Sequence, residues 1–162
     1  MDHPRVVLPF FGVDSKMFAF QGRAFGKEEP RYITIKLDEN KRRIFGLDRL
    51  DINKKIYVVE GPIDSLFLPN CLAVAGADMN MSLRNAVYIF DNEPRNKQIV
   101  DKMQQLIFLN KEICIFPKSL KYKDINDMII GGLTQVEIRS IIDNNTFSKL
   151  SAQQKINDWK EI

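Results

Sequence analysis

Histidine is almost missing from this chain. Among its 162 residues only His3 carries an imidazole, and only Cys71 and Cys114 carry thiols. Three such ligands cannot close a four-coordinate zinc site, which excludes zinc chemistry of the imidazole and thiolate kind. Both cysteines sit in apolar stretches, which suits buried thiols in a reducing compartment better than a bridge. Long apolar runs are absent too: no stretch approaches the roughly 18 residues of a membrane span, and no charged-then-apolar leader is readable, so a cytoplasmic protein is expected. The net charge of +3 is too small to name a polyanionic partner by itself.

What the chain does have is apolar content for a core: 44% hydrophobic residues, enough for one compact domain or two small subdomains sharing a core. The first fifty or so residues read as short β segments, Val6 to Phe11, Met17 to Gln21 and Tyr32 to Lys36, punctuated by Gly12, Gly22, Gly26 and Pro30. From Ile56 strands alternate with helices, the pattern of a parallel α/β sheet. Strands are expected at Ile56 to Val59, Cys71 to Ala75, Ala86 to Phe90 and Ile113 to Phe116, with a short helix near Ser65. Ile99, Met103, Leu106 and Ile107 share one helical face, predicting a helix from Pro94 to about Asn110. Thr134 with Glu137 reads as a capping box opening a helix to about Ile142, and a last helix is expected from Ser148 to Trp159. The expected division is a β-rich segment over residues 1–53, an α/β unit over 54–130 and helices over 131–162.

In a parallel sheet the C-terminal strand ends open on one crevice, so acidic residues there share a small volume. Glu60 follows the first α/β strand, Asp91 and Glu93 follow the third, and Lys123-Asp124-Ile125-Asn126-Asp127 follows the fourth after a loop. Gly61 is expected to let the backbone turn sharply behind Glu60, and Gly76 to do so behind the next strand. Carboxylates held together raise one another's pKa unless a cation neutralises them, and Mg²⁺ or Mn²⁺, which prefer several oxygens, suits the set. Asp64, Asp78 and Asp127 can each be read instead as helix caps. Basic residues cluster at Lys41-Arg42-Arg43, Lys54-Lys55 and Lys118 to Lys123, either a solvated surface or a seat for a polyanion.

These residues carry a resemblance. Val58-Val59-Glu60-Gly61-Pro62-Ile63-Asp64 resembles the first Toprim motif, and Ile89-Phe90-Asp91-Asn92-Glu93 the second, with Glu where Asp is usual. Lys123-Asp124-Ile125-Asn126-Asp127 is similar to the Lys-Asp segment of phage and bacterial-type primases. Leu8-Pro9-Phe10, Phe18 to Arg23, Pro30-Arg31-Tyr32 and Ile44 to Leu47 resemble the small subdomain that precedes Toprim in those primases, tailed-phage ones most of all. The pattern departs after Glu93, which is followed by Pro94-Arg95 where primases usually show Asp-x-Asp-x-Ala-Gly, and at Asn126, where many relatives have Asp.

The resemblance implies a Rossmann-like, four-stranded, mainly parallel Toprim sheet flanked by helices and preceded by a small mixed β-rich subdomain. It implies that Glu60, Asp91, Glu93 and Asp124 gather two or more Mg²⁺ or Mn²⁺ ions, and that Glu60, Asp91 and Glu93 are catalytic. Arg23 and Arg31 match basic positions that contact nucleotide or template, and Lys41, Arg42 and Arg43 lie beside another. Tyr32 and Lys123 join that nucleotide- and DNA-binding set, and Arg95 and Lys97 follow the acidic motif closely enough to reach a triphosphate. The implied activity is RNA primer synthesis from ribonucleoside triphosphates on single-stranded DNA, with a replicative helicase and a zinc-binding template-reading module in trans, in the host cytoplasm if phage-encoded. The rivals are a Toprim nuclease and an inactive module that binds single-stranded DNA or the replisome.

Overall fold

Arg5–Phe11 (β1) buries Leu8 and Phe10 and Met17–Ala24 (β2) buries Phe18, Ala19 and Ala24, whereas Tyr32–Lys36 (β3) leaves Ile33 and Ile35 exposed. In the computed structural model, which describes residues 4–76, 79, 81 and 83–162, the three strands pair antiparallel in the order β1-β2-β3. His3 and Asp78 lie outside the described residues. Phe10, fully buried, meets Phe18 and Phe45 edge-on at centroid distances of 6.2 and 5.3 Å, locking the small sheet onto the rest of the molecule. Its register sets Gln21 opposite Thr34 and Arg23 opposite Tyr32.

The second sheet begins with Ile56–Val59 (β4) and continues through Pro62–Ser65 (α1), Cys71–Ala73 (β5), Ala86–Ile89 (β6), Lys97–Phe108 (α2) and Glu112–Cys114 (β7). Ile125–Ile130 (α3), Gln135–Asn144 (α4), Thr146–Phe147 (β8) and Lys149–Trp159 (α5) complete the chain. The strand order is β5-β4-β6-β7-β8, parallel except for the antiparallel pair β7-β8. Strands buried on both faces divide their side chains by parity. Ile56, Val58 and Tyr88 join α2 and α5 in one core, and Tyr57, Val59, Val87 and Ile89 join α3 and α4 in the other. Helices on both faces leave only the strand ends open, and the ends of β4 and β6 point the same way. Among the described residues no helix is long and apolar enough to cross a membrane.

Three expectations are corrected, and one helix is added. The sheet has five strands rather than four, because Thr146–Phe147, too short to show a pattern, pairs with β7 beside Ile113 and Cys114. The strand expected to reach Ala75 stops at Ala73, and Ala75 takes a positive φ of 41°. The long helix starts at Lys97 rather than Pro94, since the Asn96 side chain accepts from the Gln98 and Ile99 N–H groups and takes the cap. A helix the periodicity did not reveal, α3, follows Asp124. The capping box of Thr134 and Glu137 forms as expected, and both cysteines are free and buried.

Candidate active site at the strand ends

Glu60 leaves β4, Asp91 follows β6, and Asp124 opens α3, so three elements carry carboxylates to one edge of the sheet. All three line a cleft of about 600 Å³, and together with Asp64 they also border a void of about 10 Å³ beneath it, on the order of one water in size. Asp124 is both cap and cleft residue: its Oδ1 accepts from the Asp127 N–H at 2.7 Å. Asp64 caps nothing on its own helix. Its Oδ1 accepts from the Asn126 N–H at 2.9 Å and fastens the start of α3 to the Glu60 segment.

Gly61 has φ −100°, ordinary extended backbone, so the sharp turn expected of it is not its role. A Cβ there would lie 2.5 Å from Asp64 Oδ2, and glycine is what lets that carboxylate approach. At Gly76 the expectation holds, with φ +81°.

Burial, then the charges of Glu60, Asp64 and Asp124, push Asp91 up to about 7. Burial likewise lifts Asp64 to about 6. Two lysines partly offset this charge: Lys123 Nζ lies 3.0 Å from Glu93 and 3.8 Å from Asp91, and Lys102 Nζ lies 3.4 Å from Glu60. Its bond to Glu93 holds the Lys123 ammonium above its usual range, and Asn96, then Lys123, hold Glu93 below its own. Among the described residues no three carboxylates are already drawn around one point, but an all-oxygen set that repels itself fits a hard divalent cation.

Between pH about 4 and 7 the folded state keeps the Asp91 proton that the unfolded chain releases near its ordinary 3.8, so stability falls as pH rises through that window and levels off above it. Asp91→Asn removes Asp91's share of this fall. In urea unfolding without divalent ions, the variant is expected to match wild type near pH 4 and to exceed it by about 1–2 kcal/mol near pH 8, after discounting for partial exposure. An equal difference at both pH values would contradict the assignment.

The opposite wall of the cleft is basic and comes from the small sheet: Arg23, Arg31, Tyr32 and Thr34, joined by Arg43. The guanidinium groups of Arg23 and Arg31 lie 5.7 and 5.9 Å from the centroid of the Tyr32 ring. Gln21 donates to Thr34 Oγ1 at 3.1 Å, and its carbonyl oxygen has no partner among the described residues.

Other expected residues lie outside the cleft lining. Glu93 connects to it through Lys123. Lys41 faces Asp14 at 3.9 Å, Arg95 pairs with Glu161 at 2.8 Å, and Lys97 pairs with Asp101 at 2.8 Å; Arg42 is exposed beside Arg43. Gln21, Thr34 and Lys102 enter the site without having been anticipated as site residues. Lys102 in particular belongs to a helix whose sequence spacing says nothing of Glu60, 42 residues away.

The chain is 34% identical to the DNA primase of Enterobacteria phage T4 over 169 aligned positions, which take in all of this chain and 49% of that primase. Along its whole length the chain is similar to that DNA primase. It spans about half the length of the curated relative it matches. Among solved structures, the Aquifex aeolicus primase, comprising zinc-binding and RNA polymerase domains, superposes with a TM-score of 0.64 at 20% identity, over 89% of this chain and 41% of that one. A bacterial-type primase catalytic domain bound to single-stranded DNA superposes with a TM-score of 0.64 at 15% identity, over 87% of this chain and 51% of that one. These likenesses show the fold: a Toprim-like α/β core with a small β sheet in front, as in the primase catalytic cores it superposes on. No protein-family model matches the chain.

Proposed function

We propose that this primase relative catalyses RNA primer synthesis, transferring ribonucleotides to a growing 3′ hydroxyl on a single-stranded DNA template. The observation that carries this reading is the shared cleft, with carboxylates of the strand ends on one wall and arginines of the small sheet on the other. Glu60, Asp91, Glu93 and Asp124 would hold Mg²⁺ or Mn²⁺, two or more ions. When bound, such ions lower the pKa of the attacking hydroxyl and offset charge at the phosphorus. Arg23, Arg31 and Arg43 supply fixed positive charge for phosphates, of the incoming triphosphate or the template, with bidentate geometry that lysine lacks. Tyr32 offers an aromatic face to a base. Lys123 partly offsets the charge of Asp91 and Glu93 and keeps the α3 segment beside them.

The partners that follow are ribonucleoside triphosphates, single-stranded DNA, a replicative helicase and a zinc-binding template-reading module. The primase domain solved with single-stranded DNA and the zinc-binding domain of the Aquifex aeolicus protein support the second and the last. The test is synthesis from labelled ribonucleotides on single-stranded DNA, with the zinc module added. Labelled oligoribonucleotides with release of pyrophosphate are expected, and shortening of the template to mononucleotides would favour the nuclease reading instead.

Arg31→Ala carries a quantitative expectation. If Arg31 neutralises one template phosphate, the slope of log affinity against log salt for single-stranded DNA should shrink by about 0.7. A slope equal to that of wild type in a salt titration would remove Arg31 from the interface.

A further inference from the structure

Between the two acidic residues that follow β6 stands Asn92, and every hydrogen-bonding group of its side chain is used. Its Nδ2 donates to the carbonyls of Leu120 and Tyr122, both at 3.1 Å, and its Oδ1 accepts the indole N–H of Trp159 at 3.1 Å. Its backbone N–H donates to the Lys123 carbonyl at 2.6 Å. One residue thus ties three parts of the chain together: the Asp91 to Glu93 turn, the loop from β7 to α3, and the last turn of α5.

The loop so held ends in Lys123 and Asp124. Lys123 reaches Asp91 and Glu93, and Asp124 borders the void with Glu60 and Asp91. Where these two residues stand relative to Asp91 therefore depends on the Asn92 side chain. An asparagine amide can turn over, exchanging its oxygen and nitrogen with little change of shape. The Leu120 and Tyr122 carbonyls, which only accept, demand the nitrogen on their side. The Trp159 indole N–H, which only donates, demands the oxygen on the other, so the orientation is fixed from both ends. Trp159 is itself 4% exposed and packed in the α2/α5 core, and the Glu161 N–H, donating to the Pro94 carbonyl at 2.9 Å, closes the end of α5 over the same turn.

We infer that Asn92 and Trp159 are positioning residues of the carboxylate centre: through them the C-terminal helix sets the distance of Asp124 and Lys123 from Asp91. The inference rests on the reading of Glu60, Asp91 and Asp124 as a divalent-ion centre, and it assigns the far end of the chain a part in building that centre. Groups that orient metal ligands commonly govern affinity by about 10–100-fold when removed.

The experiment is calorimetric titration of Mn²⁺ into the full chain, with thermal unfolding of each protein alongside. Trp159→Phe keeps the ring in the core and deletes only the N–H, and it should weaken Mn²⁺ binding by about tenfold or more. Ile156→Val, on the same helix and 2% exposed, lowers stability without touching Asn92 and should bind Mn²⁺ like wild type. Asn92→Asp is the second variant. It keeps an acceptor for Trp159 but turns a second oxygen toward the Leu120 and Tyr122 carbonyls, so affinity should fall although a negative charge has been added. Wild-type affinity in Trp159→Phe, unchanged or tighter binding in Asn92→Asp, or equal weakening in Ile156→Val would each overturn the positioning role. Absence of Mn²⁺ binding by the wild type would instead overturn the divalent-ion reading, and this inference with it; Asp91→Asn, titrated in parallel, separates the two failures.

Discussion

Asp91→Asn is expected to reduce primer synthesis by about a hundred- to a thousandfold while the protein becomes more stable at neutral pH. The two effects have one origin. Asp91 is the most strongly perturbed carboxylate of the cleft, lifted to about 7 by burial and by Glu60, Asp64 and Asp124. A fold built only for stability would not retain a partly buried carboxylate facing three others. The amide has nearly the same shape and keeps an acceptor oxygen, but it brings no negative charge to a bound cation, so the repulsion disappears together with the affinity that the repulsion makes possible. Glu60→Gln should lose activity similarly, with a smaller change in stability, because Glu60 already has Lys102 at 3.4 Å. Wild-type rates in Asp91→Asn, in a protein shown to be folded by its unfolding transition, would discard the assignment.

Phe10→Ala should have the largest effect on stability. Phe10 is fully buried and bridges Phe18 of its own sheet and Phe45 before the second sheet. Truncation of a buried phenylalanine costs about 3–5 kcal/mol, and in a chain of this length that corresponds to about 10 °C in the unfolding midpoint. The functional consequence is more specific than the loss of stability. The small sheet carries Arg23, Arg31 and Tyr32 but none of the carboxylates, so loosening it should weaken single-stranded DNA and nucleotide binding while Mn²⁺ affinity stays near that of wild type. Thermal unfolding combined with the two titrations tests this separation. Parallel loss of both affinities would show that the two walls of the cleft are not independent.

Much of this was legible before any coordinates. Ile56 to Val59 is an unbroken apolar run followed by Glu-Gly, and that pattern alone places Glu60 at a strand end. Asp91 and Glu93 were legible for the same reason. Other features depend on residues far apart in the chain. Glu161 claims Arg95, and Lys102 reaches Glu60, only once α5 and α2 are packed on the sheet. Two valid start signals stand close together at Pro94 and Asn96, and the side-chain cap of Asn96 prevails over the preset φ of proline. Gly61 shows the limit of local reasoning most clearly. A glycine after a strand suggests a turn, yet its backbone is ordinary and what it makes room for is the Asp64 carboxylate. The double duty of Asp124, as cap of α3 and as cleft carboxylate, also becomes visible only when α3 is seen to begin there.

The most direct measurement is a crystal of the protein soaked in Mn²⁺ and recorded at the manganese absorption edge. Anomalous density should appear at the mouth of the void, within coordinating reach of the Glu60 and Asp91 carboxylates and with an Asp124 oxygen close by. Manganese bound elsewhere on the surface, with that space left to water and the lysines still paired to the acidic side chains, would contradict the claim that these residues form one cation centre.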